Sequence, residues 1–458
     1  MPKREDIRKI MIIGSGPIII GQACEFDYSG TQACKALRAL GYTILLVNSN
    51  PATIMTDPET ADITYIEPLN VGRLTEIIKK ERPDALLPNL GGQSGLNLCA
   101  ELADEGVLDQ YGVEIIGVDL DAIKRGEDRI EFKDLMDSLG VEMARSAPAY
   151  SVEEAKEIVK RLGYPVVIRP AYTMGGAGGG FVHDEIELET IVSRGISVSM
   201  VGQVLIEESI LGWEEMEVEV VRDRKGIMIS ACLIENIDAL GVHTGDSFCC
   251  VPMLTTPQAL QDRMEDIAHR IVQSVGVIGG CNVQFAHDPK TGRVVVIEIN
   301  PRASRSSALA SKASGFPIAL VSAMLATGVT LDEIPYWKGG TLADYRPSGD
   351  YVVIKFARWA FEKLRGAQDV LGTQMKAVGE VMSIGKTYKE TFQKAIRSLE
   401  TSRHGLGYAG DYNQKSLEEL IPLLQDATSE RQFILYEAIR KGADIDELCR
   451  LTHIKRFY

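Results

Sequence analysis

The sequence predicts an α/β protein in three parts: a parallel, doubly wound unit over 1–120, a mixed α+β unit over 121–402, and a helical segment over 403–458. Three observations lead there. Apolar strands alternate with helical stretches through the first part. Five glycines occupy the six positions Gly175 to Gly180, between two β-like runs. A strand–turn–strand stretch ends in Arg293 to Arg302, RVVVIEINPR.

Composition bounds the class. A chain of 458 residues can bury two or three cores. Lys and Arg number 49 against 64 Asp and Glu, a formal charge of −15. That excess argues against nucleic-acid backbones and anionic membranes as main partners. It leaves room for a nucleotide in a locally positive pocket. No apolar run reaches membrane-spanning length. The opening MPKREDIRKIMIIGSG reads as a strand ending in glycine, with no small-residue cleavage site, and so not as a signal peptide. Eight cysteines form no C-x-x-C pair, which points away from zinc or disulfides and toward core thiols in a reducing cytosol.

In the first part KIMII is a strand leading into GSGPIIIGQACEFDYSG. A helix is expected from Ser29 to Leu40, capped by Ser29 and ended by Gly41. TILLVN, a helix around Leu74 to Lys80, DALLP, a helix after Gly91-Gly92-Gln93-Ser94, and VEIIG complete the series. Gly14 and Gly16 suggest a dinucleotide turn. The third glycine is Gly21, however, and Asn48-Ser49-Asn50 stands where an acid is needed, so a scaffold turn fits better.

Asp121 to Gly140 reads as a charged linker helix, with Arg129 an exposed arginine by default. Ser151 to Leu162 is a helix opened by a Ser151/Glu154 capping box. PVVIRP is a strand ending in Arg169, and the glycines that follow suit a flap over phosphates. No G-K-[ST] follows, so the flap is not a Walker loop. QVLIEE carries Glu207 and Glu208. After Ile210 to Trp213, an alternating strand puts Glu215, Glu217 and Glu219 on one face. Such a face is usually solvated; Glu215, at the strand's start, is the expected exception. The loop after IMISACLIEN carries His243, which either meets a ligand or faces solvent.

Residues 256–275 form an amphipathic helix. GCNVQFAHD and RVVVIEINPR then make a hairpin around Asp288 to Gly292. Glu298 and Asn300 point one way, Gln284 shares their face, and Arg302 joins them if the strand persists past Pro301. A carboxylate, amide oxygens and a guanidinium at a strand end suit a hard cation holding a phosphate. Arg302 and Arg305 begin a small-residue helix, SRSSALASKASGFP, whose N-terminus also favours anions.

IRPAYTMGGAGGG, NVQFAHDPKTGRVVVIEINPR and SRSSALASKASGFP together resemble an ATP-grasp ligase. More narrowly, they resemble the N-terminal, carboxyphosphate-forming half of the carbamoyl-phosphate synthetase large subunit. GPIIIGQACEFDYSGTQACKALRALGY, VNSNPATIMTDPETADITYIEP, PNLGGQSGLN and IENIDALGVHTGDS extend the likeness over roughly residues 1–400. It implies a Rossmann-like pre-ATP-grasp domain followed by an ATP-grasp domain. It also implies ATP bound by Arg129, Arg169, Gly175, Gly176, Glu208, Ile210, Glu215, Gly241, Val242 and His243. Gln284, Glu298 and Asn300 would hold two Mg²⁺ or Mn²⁺, with K⁺ as a further cation, and Arg302 would steer bicarbonate or carboxyphosphate.

The implied activity activates bicarbonate with ATP and adds ammonia to give carbamate, within carbamoyl phosphate synthesis for arginine and pyrimidines. No protein nucleophile is expected. The sequence shows one flap and one E-I-N-P-R strand, so the implied partners are a second ATP-grasp half, as a separate chain or a homodimer mate, and a glutaminase subunit. The helices after residue 403 resemble the start of the family's oligomerisation domain. Alternatives are a self-paired half performing both phosphorylations, a biotin-carboxylase-like ligase, a nicotinamide oxidoreductase on Gly14 to Gly21, and a catalytically silent assembly subunit. The biotin-carboxylase type is expected to carry a flap lysine, and GGAGGG has none.

Overall fold

The computed structural model describes residues 4–22, 24–170, 179–199, 202–408 and 412–458. The first unit is a parallel sheet ordered β3-β2-β1-β4-β5, built from β1 (Lys9–Ile13), β2 (Thr43–Asn48), β3 (Ile63–Ile66), β4 (Ala85–Leu87) and β5 (Glu114–Ile115). Its helices are α1 (Cys24–Ala39), α2 (Val71–Glu81), α3 (Gly92–Asp104) and α4 (Val107–Tyr111). Strands buried on both faces read as continuous apolar runs, and Ile10 to Ile13 are fully buried. Helix α1 starts at Cys24, ahead of the expected Ser29. Ser29 lies inside it and returns its hydroxyl to the Glu25 carbonyl at 3.0 Å, the local bond available to a serine within a helix.

The expected linker helix is two helices, α5 (Leu120–Glu127) and α6 (Arg129–Ser138). Asp128 breaks them: its backbone is extended and its carboxylate accepts from the amides of Ile130 and Glu131. Gly126 lets α5 approach the hairpin, since a Cβ there would lie 2.9 Å from the Pro301 ring.

A four-stranded antiparallel sheet follows, ordered β6-β9-β7-β8, from β6 (Ser146–Ala149), β7 (Val166–Pro170), β8 (Gly180–Val182) and β9 (Val204–Glu208). Helices α7 (Val152–Leu162) and α8 (Glu185–Val198) cover it and share its core of Ile158, Val166, Ile168, Leu188 and Val204. Ser151 caps α7 as expected, while the Glu154 carboxylate reaches the amide of Tyr150 rather than that of Ser151.

The largest element is a seven-stranded antiparallel sheet, β14-β13-β10-β11-β12-β15-β16. Its strands are β10 (Glu214–Arg222), β11 (Met228–Asn236), β12 (Cys249–Val251), β13 (Gly279–His287), β14 (Val294–Asn300), β15 (Val352–Arg358) and β16 (Gly379–Gly385). On one face α9 (Gln258–Val275) packs Met264, Ile267 and Ile271 against Met216, Val218, Val283 and Phe285. The other face meets α10 (Arg305–Ser314) and α11 (Ile318–Ala326). Helix α11 is apolar all round because it is buried between this sheet and α1. No single helix among the described residues is long and apolar enough to cross a membrane.

Helices α12 (Tyr388–Ser398), α13 (Leu417–Leu420), α14 (Arg431–Arg440) and α15 (Ile445–Thr452) complete the chain. They gather on an aromatic cluster containing Phe248, Phe356, Phe392 and Phe433.

Phe285 sits at the centre of this architecture, fully buried between β13 and α9. Phe285→Ala should lower stability by about 3–5 kcal/mol, read as a fall in the urea midpoint by intrinsic fluorescence. A loss under about 1 kcal/mol would mean the sheet–helix core is not packed this way.

Candidate active site

The site grows from the pairing of three strands. β13 pairs with β14 so that Gln284 lies opposite Glu298 and Asn282 opposite Asn300. β10 pairs with β13 on the other side, setting Glu217 opposite Gln284 and Glu219 opposite Asn282. Two rows of polar side chains therefore cross one sheet face: Glu217–Gln284–Glu298 and Glu219–Asn282–Asn300. The expected common face of Gln284, Glu298 and Asn300 is present.

Glu217 and Glu219 correct the sequence expectation, while Glu215 is the exception it named. Glu215, Glu217 and Glu219 are 3%, 1% and 0% exposed, so the face is buried rather than solvated. Alternation cannot tell a face turned to water from one turned to polar protein. Here the covering element is the serine-rich start of α10. Ser306 donates to Glu217 Oε2 at 2.5 Å, and Ser304 and Ser307 donate to Glu219 at 3.3 and 2.9 Å. Asn282 Nδ2 bridges both carboxylates, at 2.9 Å to each. Ser304 and Ser307 also cap α10 reciprocally, so the helix start is fixed where these carboxylates need donors.

Burial, reinforced by Glu217, pushes Glu219 up to about 8 and Glu215 well above the usual carboxylate range. Among the described residues, three buried oxygens here have no hydrogen-bond partner: Glu215 Oε2, Asn236 Oδ1 and Asn282 Oδ1. Unmet acceptors beside buried carboxylates fit cations better than further donors.

At the open end, Asn300 Nδ2 donates to Glu298 Oε1 at 3.2 Å, and Arg302 Nη2 donates to Asn300 Oδ1 at 2.9 Å. β14 stops at Asn300, yet Arg302 still reaches the row. Burial lowers the Arg302 pKa, opposed by Glu127 and Glu298. These residues line a cleft of about 430 Å³ with Arg129, Glu127, Gln93, Lys133 and Glu207. Arg129 opens to solvent through this cleft, and the protein around it, with Arg169 next, lowers its pKa. Arg169 pairs with Glu207 on β9.

Other expected site residues lie on two loops. Ile210 belongs to the β9–β10 turn; Gly241, Val242 and His243 lie between β11 and β12. The loops join through Gly212 N to Leu240 O at 2.8 Å and Leu240 N to Trp213 O at 2.9 Å. His243 is largely enclosed, not a solvent-facing loop residue, and burial lowers its pKa against Asp246 and Glu298. Thr244 Oγ1 donates to Glu217 Oε1 at 2.7 Å, tying this loop to the polar rows. Glu208 is committed elsewhere: Arg145 Nε bonds Oε2 at 2.6 Å and Arg293 Nη2 bonds Oε1 at 3.0 Å. Gly175 and Gly176 lie outside the described residues.

Sequence reasoning missed Gln93 and Glu127. Gln93 Oε1 accepts from Arg302 Nε at 3.0 Å, and Gln93 Nε2 donates to Glu127 at 3.0 Å. The Gly91-Gly92 pair opening α3 was the available signal: a Cβ at Gly91 would lie 2.0 Å from the Ile13 carbonyl, so only glycine brings Gln93 this close. Asn282, two positions before Gln284 on one strand face, was also legible.

Glu219 titrates differently in folded and unfolded chains. Its folded pKa of about 8 lies above the ordinary 4.5, so the folded state holds the extra proton between those values. Stability then falls as pH rises through that window. Without divalent metal, wild type should lose stability relative to Glu219→Gln between about pH 5 and pH 8 in thermal melts. A pH-independent gap would place Glu219 in water.

Three sequence profiles match in order: "Carbamoyl phosphate synthase preATP-grasp domain" over 6–125, "Carbamoyl-phosphate synthase L chain, ATP binding domain" over 128–334, and "Carbamoyl-phosphate synthetase large chain, oligomerisation domain" over 380–458. Carbamoyl phosphate synthase large chains from Archaeoglobus fulgidus and Thermotoga maritima are each 54% identical across 100% of this chain, covering 43% and 41% of those proteins. The chain thus spans less than half the length of these relatives. Among solved structures, the biotin carboxylase domain of Hydrogenobacter thermophilus 2-oxoglutarate carboxylase, in complex with MgADP, ADP and bicarbonate, matches at TM-score 0.65 and 19% identity, over 86% of this chain and 90% of that one. Campylobacter jejuni biotin carboxylase, in complex with β-γ-ATP, matches at TM-score 0.64 and 16% identity, over 97% and 99%. At these identities the structures show a shared fold.

Proposed function

The chain belongs to the carbamoyl phosphate synthase large-chain family, and we propose that it is an ATP-grasp ligase forming carboxyphosphate from ATP and bicarbonate. The observation carrying this reading is the convergence of Glu298, Asn300, Arg302 and Arg129 on one cleft, with Gln284 beside Glu298.

Gln284, Glu298 and Asn300 supply the oxygens that Mg²⁺ or Mn²⁺ prefers. Two such ions, when bound, would offset the charge of the terminal phosphates as the phosphoryl group moves. The unpartnered Glu215 Oε2 and Asn236 Oδ1 suit K⁺ as a further cation. Arg129 and Arg169 would meet the nucleotide, and Gly241, Val242, His243 and Ile210 would line its binding loops. The Glu208 side chain is taken by Arg145 and Arg293, so a nucleotide contact from that residue falls to its backbone.

Arg302 would hold bicarbonate next to the γ-phosphate. A bicarbonate oxygen attacks phosphorus, ADP leaves, and carboxyphosphate forms. Ammonia then attacks its carbon and expels phosphate, giving carbamate. Two anions must be brought together, so neutralising charge and excluding water supply most of the catalysis. The Gly175–Gly180 stretch would provide the covering flap, and no protein nucleophile is needed.

The remaining partners follow from that chemistry: a second ATP-grasp half to phosphorylate carbamate, and a glutaminase to supply nitrogen, in cytosolic arginine and pyrimidine synthesis. The exposed run Ile18, Ile19 and Ile20, 61%, 54% and 53% accessible, supports an apolar partner surface on the first unit.

The purified chain with Mg²⁺ should hydrolyse ATP only when bicarbonate is added, without biotin. Absent turnover would favour a silent assembly subunit, and dependence on biotin would favour the carboxylase reading. With labelled bicarbonate and ammonia, carbamoyl phosphate from this chain alone would show one half performing both phosphorylations. Glu298→Gln should abolish turnover while the thermal midpoint stays within a few degrees. Wild-type rates in that variant would remove Glu298 from the metal site.

A further inference from the structure

The loop between β11 and β12 is gripped from outside by the C-terminal part of the chain. Asp238 at its start and Arg431 at the start of α14 are each 4% exposed. Arg431 clasps Asp238 with two parallel bonds, Nε to Oδ1 at 2.7 Å and Nη2 to Oδ2 at 2.6 Å. The Phe248 amide adds a third bond to Asp238 Oδ2 at 2.9 Å. The guanidinium lies 4.3 Å from the Phe248 ring centroid and 5.6 Å from that of Trp359, so its position is set by rings as well as by charge.

The far end of the loop is fixed by the stretch between β15 and β16. Asp246 accepts from Trp359 Nε1 at 3.0 Å and from the amides of Lys376 and Ala377 at 2.9 and 2.6 Å. The His243 amide donates to the Gly372 carbonyl at 2.8 Å. On its inner side the loop presents Gly241, Val242 and His243 and sends Thr244 onto Glu217. One side therefore faces the candidate site while the other is held by residues 359–431. Arg431 itself lies in the range matched to the oligomerisation-domain profile.

We propose that Arg431 is a positioning residue for the nucleotide: through Asp238 it fixes the 237–248 loop, so the C-terminal helical unit sets the order of Gly241 to His243 before ATP arrives. This rests on the reading of those three residues as nucleotide-binding. A loop already fixed in its binding conformation loses little freedom when the ligand enters, and that saving appears as affinity. Removing Arg431 strands a buried carboxylate, which drives the loop toward water. The consequence falls on nucleotide binding rather than on chemistry, because Arg431 touches neither the polar rows nor the cleft lining.

The test uses the full chain as wild type, Arg431→Met, and the compensated double variant Asp238→Asn/Arg431→Met. The double variant has no stranded charge and keeps an acceptor for the Phe248 amide, so it folds even if the single variant does not. Three quantities are read: amide hydrogen exchange over 237–248, MgADP affinity by calorimetry, and KM for ATP against kcat. The double variant should melt near wild type, exchange faster across 237–248, bind MgADP roughly tenfold more weakly, and keep kcat at saturating ATP within about twofold. Wild-type exchange and MgADP affinity in the double variant would overturn the inference, as would a fall in kcat with affinity unchanged. A wild-type chain that binds no MgADP overturns the nucleotide reading itself. That failure is separable, because the exchange comparison reports on the clamp without any nucleotide.

Discussion

Three carboxylates, Glu215, Glu217 and Glu219, are buried on one face of the large sheet, and the rest of the site is arranged around satisfying them. Charge removed from water must be paired, hydrogen-bonded or protonated. The chain uses several of these solutions at once. Serines at the start of α10 and the Asn282 amide donate to Glu217 and Glu219. Burial raises the pKa values of Glu215 and Glu219. Among the described residues, three acceptor oxygens still lack donors. A sheet face built this way cannot close over an apolar core. It needs α10 above it, and at its open end Glu298, Asn300 and Arg302 meet the cleft.

That constraint separates what the sequence reveals from what it conceals. Hairpin geometry is local: period-two alternation puts Gln284, Glu298 and Asn300 on one face, as observed, whereas the bulge that sets Gln284 directly opposite Glu298 leaves no mark in the alternation. The burial of Glu215, Glu217 and Glu219 is not local. It depends on a helix whose cap, Ser304, lies 85 residues beyond Glu219 and which happens to carry hydroxyls. Gln93 and Glu127 join the cleft from still other parts of the chain, and only the glycine pair before Gln93 hints at close approach. Short, partly exposed strands such as Ile63–Ile66 and Ser146–Ala149 carry too few alternations to announce themselves. The split at Asp128 is a capping event that a run of charged helix formers hides.

The C-terminal helices have a second part in the structure beyond their own core. They reach the β11–β12 loop at Asp238, Arg431 also stacks over Phe248, and Lys455 binds Glu235 and Glu214 on the two strands flanking the site, at 2.8 and 3.1 Å. The seven-stranded sheet thus joins the candidate site to the helical unit through its own strands and loops.

The most direct measurement is anomalous diffraction from crystals grown with Mn²⁺ and a non-hydrolysable ATP analogue. Manganese peaks are expected between Gln284, Glu298 and Asn300, with the terminal phosphates against them. Manganese bound elsewhere, or a nucleotide seated away from this row, would contradict that placement.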